Sequence, residues 1–157
     1  MHKHLPRHRT RFGGFTLLEL VIAMVIGAIL VAVALPAFMG SIRKGRRSEA
    51  MTALTALQQE EERWRSNNQT YTATLGSSGL RVTSPSSPGG YYTLAISGNS
   101  ETGYTAVADG TASSQAGDGE CAKLAVKVDR GAISYAACRS CADSSLVFAA
   151  TNTCWSR

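Results

Sequence analysis

The sequence predicts an α+β fold: a long N-terminal helix, half apolar and half amphipathic, packed on a C-terminal antiparallel β-sheet. Three observations carry this expectation. No charged residue stands between Leu20 and Ile42. Apolar residues then recur at helical spacing through Ala50, Leu54, Leu57 and Trp64. Beyond residue 90, short runs of alternating apolar and polar residues are separated by turns.

The chain has 157 residues, enough for one small domain and an anchor. Its basic character is unevenly placed. Of sixteen Lys and Arg, four (Lys3, Arg7, Arg9, Arg11) lie in residues 1–14, which leaves twelve basic against eleven acidic residues afterwards. The high isoelectric point thus belongs largely to the leader and is no argument for a nucleic-acid partner. All three histidines (His2, His4, His8) also lie there. The remaining chain has lost the commonest general base and metal ligand, and it shows no nucleophile with a matching base. No enzyme, cofactor or metal is expected.

Residues 1–14 are short and basic, with no apolar core of their own. An ordinary secretory signal places its hydrophobic segment before the cut, whereas here that segment follows Gly14. The plain alternative is an uncleaved single-span anchor with a basic tail. Residues 15–42 form the expected membrane helix. About 23 uncharged residues span roughly 34 Å, enough for a bilayer core. Gly27, Ala28, Ala32 and Ala34 are small residues that let apolar helices approach closely. Pro36 removes a backbone hydrogen bond and collides with the carbonyl of Ala32, so a kink is expected there. Glu19 is a carboxylate near the end of a lipid-length helix. Such a group is expensive to bury and is a functional hypothesis by default, set against a carboxylate that is protonated or reaches the interface.

Charge does not orient the anchor, because Arg43, Lys44, Arg46 and Arg47 balance the four basic residues of the leader. The cysteines break the tie. Cys121, Cys138, Cys141 and Cys154 all lie in the last quarter, and an even number in an exported chain points to disulfides on the oxidising, periplasmic side. The basic cluster at 43–47 would then lie near outer-leaflet headgroups or on a solvated helix face.

Residues 43–66 continue the helix as its amphipathic half, with Ser48, Thr52, Thr55, Gln59 and Glu62 opposite the apolar stripe. Glu60, Glu61 and Glu62 read as a solvated face, and Glu49 has Arg46 within reach as a weak exposed partner. Asn67 and Asn68 stop the helix. Residues 67–90, rich in Ser, Gly, Thr and Pro, form an irregular αβ loop. Strands are expected at 91–97, 104–108 and 123–128. Asp129-Arg130-Gly131 turns the chain into a strand carrying Ile133, Tyr135 and Ala137, and a last short strand is expected at 146–149. In the third strand Leu124, Val126 and Val128 share one face, and Lys123, Ala125 and Lys127 the other.

Four cysteines allow three pairings. Cys138-x-x-Cys141 follows a strand and opens no evident helix, so nothing lowers its thiol pKa, and a four-cysteine zinc site has poor spacing. Structural disulfides are expected. Lys123, Lys127, Arg130 and Arg139 form a candidate DNA patch. Basic and acidic residues balance over 67–157, and a solvated sheet face is the preferred reading.

The run Gly13-Gly14-Phe15-Thr16-Leu17-Leu18-Glu19-Leu20 resembles the type III signal of type IV pilins and pseudopilins. Weaker likenesses lie at Gly45-Arg46-Arg47-Ser48-Glu49-Ala50, at Asn68-Gln69-Thr70-Tyr71, and in Asp118-Gly119-Glu120-Cys121 with Cys154-Trp155, which is similar to PilE-like minor pilins. The resemblance implies a prepilin peptidase that cuts between Gly14 and Phe15 and N-methylates Phe15. It implies that Glu19 pairs with the Phe15 amine of a neighbouring subunit, and that the helix bends or unwinds at Pro36 in the filament. It also implies a Cys121–Cys154 pair closing a variable D-region within 91–157, which leaves Cys138 with Cys141. The expected partners are other pilin subunits, the peptidase and the inner-membrane assembly machinery. The protein would wait in the bacterial inner membrane with its C-terminal domain periplasmic, and then enter an extracellular pilus that supports twitching motility, adhesion or DNA uptake. The alternatives are a type II secretion pseudopilin and a DNA-binding competence pilin.

Overall fold

The computed structural model describes residues 14–82 and 84–156. The leader expectations for residues 1–13 lie outside the described residues, as do Thr83 and Arg157. The fold is α+β and pilin-like. One helix, α1 (Leu17–Arg65), precedes a four-stranded antiparallel sheet of β1 (Thr93–Ser97), β2 (Gly103–Asp109), β3 (Lys123–Asp129) and β4 (Ala132–Cys138), ordered as in the sequence. The chain divides into two units, one ending at Phe38 and the other beginning at Met39.

In the first unit, α1 is apolar on every side beyond Glu19 in its first turn. Large side chains from Leu17 to Phe38 are exposed, and the helix passes the length and hydropathy criteria for a membrane span. The helical backbone continues through Pro36. Thr16 caps the start: its hydroxyl accepts from the backbone N–H of Glu19 at 3.2 Å.

In the second unit, Ala50, Ala53, Leu54 and Leu57 pack on one sheet face with Leu94, Tyr104, Ala106, Ala108, Leu124, Val126 and Val128. The strand register aligns these residues in rows: Leu94, Ala108, Leu124 and Ala137 lie side by side, as do Ile96, Ala106, Val126 and Tyr135. Alanines on the central strand β2 give the helix room to lie close. Asn68 and Asn67 donate their side-chain amides to the Trp64 and Arg63 carbonyls, which stops the helix. The αβ loop is less irregular than its composition suggests, because it buries Tyr71 and Leu80 in the core.

Two strand expectations are corrected. β1 begins at Thr93, since Tyr92 turns into the core and its hydroxyl accepts from Gln115 at 2.9 Å. No strand forms at 146–149. Ala149 alone bridges to Tyr135, with N···O distances of 2.8 and 3.0 Å, after a 3-10 turn at Asp143–Ser145. The sheet face carrying Ala125 is also not simply solvated. Val107, Ala125 and Ala136 form a second cluster covered by Leu146 and Phe148.

Candidate functional site

Gly14 and Phe15 are exposed immediately before α1, and Glu19 stands exposed in its first turn. Thr16-Leu17-Leu18-Glu19 has the spacing of a capping box, a signal that the sequence reading did not use. A carboxylate at this third helical position also faces the positive end of the helix dipole. Local capping and intersubunit pairing are therefore both open to Glu19.

Of the basic cluster after the apolar segment, the three arginines are held by the domain, while Lys44 is exposed. Arg43 donates to the Gly117 carbonyl at 2.8 Å, and Arg46 to the Ser114 hydroxyl at 2.6 Å. Arg47 grips both carboxylate oxygens of Asp118 at 2.6 and 3.0 Å. Arg46 also lies 4.0 Å over the Tyr91 ring. These arginines clamp the β2–β3 connection onto the helix. Glu49 accordingly does not pair with Arg46; it accepts from the Gly89 N–H at 2.6 Å.

Glu61 corrects the solvated-acid reading. It is 0% exposed, four residues after Leu57 on the packed face. One oxygen accepts from the Thr72 N–H at 3.2 Å, while the other and the nearby Tyr104 hydroxyl are buried without a partner among the described residues. Desolvation raises the Glu61 pKa to about 7; the Thr72 hydrogen bond works against this and the charge of Glu62 adds to it. Burial likewise raises the Tyr71 and Tyr104 hydroxyls, with Glu61 contributing to both.

The four proposed DNA-patch residues do not act together. Lys123 is 8% exposed and bridges Asp109 and Asp143, each at 2.9 Å, while also donating to the Cys141 carbonyl. Its charge is neutralised, so it leaves the patch. Desolvation of Lys123 is outweighed by these two carboxylates, and its pKa rises. Lys127 is exposed, 6.0 Å from the Phe148 ring. Arg130 and Arg139 are 80% and 66% exposed, at opposite ends of the β3–β4 hairpin, beside Asp129 at 3.4 Å and Glu120 at 3.8 Å. The cations form a line, not a cluster. Arg130 also has a φ of 51°, followed by Gly131 at 81°, which is the left-handed pair of a tight hairpin turn.

Cys121 bonds Cys154 across 33 residues, and Cys138 bonds Cys141. All four sulfurs are thus oxidised, which removes the zinc alternative. The first bond ties the chain end to the start of β3. Beside it, the Trp155 ring lies tilted against Tyr135, 4.6 Å between centroids, and its indole N–H donates to the Ala136 carbonyl at 3.0 Å.

Among known proteins, residues 9–35 match the model of the prokaryotic N-terminal methylation motif. A curated relative, type II secretion system core protein G of Dickeya chrysanthemi, is 31% identical over 78 residues, covering 50% of this chain and 51% of that protein. The chain thus spans about half the length of the curated relative it matches. The methylation motif and the hydrophobic helix fit inner-membrane anchoring before assembly into a pilus. Residues 36–125, more than half of the sequence, match the model described as type IV minor pilin ComP, DNA uptake sequence receptor, and the chain belongs to that family of type IV minor pilins.

Proposed function

We propose that this protein is a structural minor subunit of a type IV pilus, cut after Gly14, methylated on Phe15 and inserted into the filament through the apolar part of α1. The observation that carries the reading is the uncovered apolar surface from Leu17 to Phe38 with one carboxylate, Glu19, in its first turn. Cleavage creates a cationic amine on Phe15. Pairing it with Glu19 of a neighbouring copy relieves a desolvation cost of several kcal/mol. Pro36 supplies a weak point at which the helix bends when packed. The protein's partners are then other pilins, the prepilin peptidase and the inner-membrane assembly machinery, and its role is architectural rather than catalytic. Glu19→Gln keeps shape and removes charge. We expect unchanged membrane levels and a fall of ~tenfold or more in sheared filaments, the loss of at least about 1.4 kcal/mol per docking event. Native incorporation of Glu19→Gln contradicts the pairing.

Family membership and Arg130 favour a second, compatible reading, a DNA-uptake role. Arginine in a left-handed turn position costs on the order of 1 kcal/mol relative to glycine or asparagine. Keeping a guanidinium there, with Lys127 and Arg139 along the same hairpin, suits contact with a phosphate backbone. The triple variant Lys127→Gln, Arg130→Gln, Arg139→Gln should lower duplex DNA affinity and flatten its salt dependence. Unchanged binding refutes that surface. The partial likeness to a type II secretion core protein makes a short periplasmic pseudopilus the rival filament, and complementation of pilus and secretion mutants separates the two.

A further inference from the structure

A cleft of about 370 Å³ opens where α1 ends and the αβ loop folds back, near the small end of the roughly 300–1,000 Å³ range of ligand pockets. Trp64, half-buried against the core, lines it with the part of its indole that stays accessible. Asn67 donates its side-chain amide to the Arg63 carbonyl and the Ser66 hydroxyl, and Asn68 to the Trp64 carbonyl, which leaves their side-chain oxygens as acceptors. Across the cleft, Ser77 and Ser78 sit exposed on a turn closed by the Gly79 N–H to the Gly76 carbonyl at 3.1 Å. That turn is built for glycine: Gly76 has a φ of 97°, and a Cβ on Gly79 would lie 2.1 Å from the Thr74 carbonyl oxygen.

The charge is specific too. Glu60 neutralises Arg63 and accepts from the Arg81 backbone N–H at 3.2 Å, whereas the exposed Arg81 guanidinium has no partner among the described residues. The cleft therefore offers part of an indole, side-chain acceptors, two hydroxyls and, among the described residues, one arginine without a carboxylate partner. A pyranose ring presents weakly positive C–H groups to the negative face of an indole, and its hydroxyls match both donors and acceptors. A nucleic-acid backbone needs several clustered cations, and among the described lining residues Arg81 is the only cation that lacks a carboxylate partner. We propose that this cleft binds an anionic saccharide, a sugar ring on Trp64 with its carboxylate on Arg81. The site is separate from the hairpin cations and does not depend on the DNA reading.

The test is calorimetric titration of the full chain in detergent micelles with tri-galacturonate, neutral galactotriose and a hexathymidine strand. We expect saturable tri-galacturonate binding near the ~millimolar range, and binding about tenfold weaker for galactotriose and for Arg81→Gln. Ser78→Tyr, on an exposed turn outside the core, should fill the cleft and abolish binding with an unchanged circular dichroism spectrum. Trp64→Phe should weaken binding without unfolding the domain. Absence of saccharide binding overturns the proposal, as does indifference to Arg81→Gln and Ser78→Tyr. Arg81-dependent binding of hexathymidine alone overturns it in favour of a nucleic-acid site.

Discussion

The two parts of α1 have the same backbone and opposite surroundings. From Leu17 to Phe38 no side chain is buried, though nearly all are apolar. From Ala50 to Glu61 one stripe is sealed against the sheet and its opposite face is polar. A helix satisfies its own backbone, so it can stand in lipid or among other helices without further hydrogen bonds. Side chains set the difference. The second part finds its partner within the chain, and the first must find one outside it.

The comparison can be broken or sharpened by substitution. Leu54→Ala, in the stripe, should destabilise the domain by about 3 kcal/mol, and up to ~5 if the cavity does not collapse, measured by urea unfolding. The disulfides rank next. Opening the 33-residue loop with Cys121→Ser and Cys154→Ser should cost about 4 kcal/mol, and opening Cys138–Cys141 about 2, because the shorter loop restrains the unfolded chain less.

Glu61 gives a pH signature. Its folded pKa of about 7 lies above the ordinary 4.5, so the folded state holds the proton more tightly. Its contribution is fully present below pH 4.5 and is lost as pH rises through 7, at most about 3 kcal/mol. Glu61→Gln should flatten that slope and make the domain more stable than the native chain at pH 8. A parallel pH profile for the two proteins would contradict the buried charge. The smallest effect belongs to the first part of the helix: Leu30→Ala should leave the unfolding free energy within about 0.5 kcal/mol, since Leu30 is 65% exposed. A loss comparable to that of Leu54→Ala would erase the distinction between the two parts.

The regular architecture was legible in the sequence because it repeats. Helical spacing marks Ala50, Leu54 and Leu57, alternation marks Leu124, Val126 and Val128, and Asp129-Arg130-Gly131 marks the hairpin. The polar sites were not legible, because their partners are distant in sequence. Arg47 meets Asp118 across 71 residues, and Lys123 meets Asp143 across 20. Alternation placed Lys123 on the polar face, but not the C-terminal segment that covers that face. Glu61 is the instructive exception. Its spacing from Leu57 puts it in the apolar stripe, and three consecutive acids hid that signal. The capping-box spacing of Thr16 and Glu19 was equally readable.

The most direct test of the assembly account is the intact mass and N-terminal residue of the protein taken from sheared filaments. The account predicts a chain that begins at N-methylated Phe15 and lacks two hydrogens for each of its disulfides. A chain in the filament that still carries residues 1–14 would have no free amine at Phe15 for Glu19 to meet, and would contradict it.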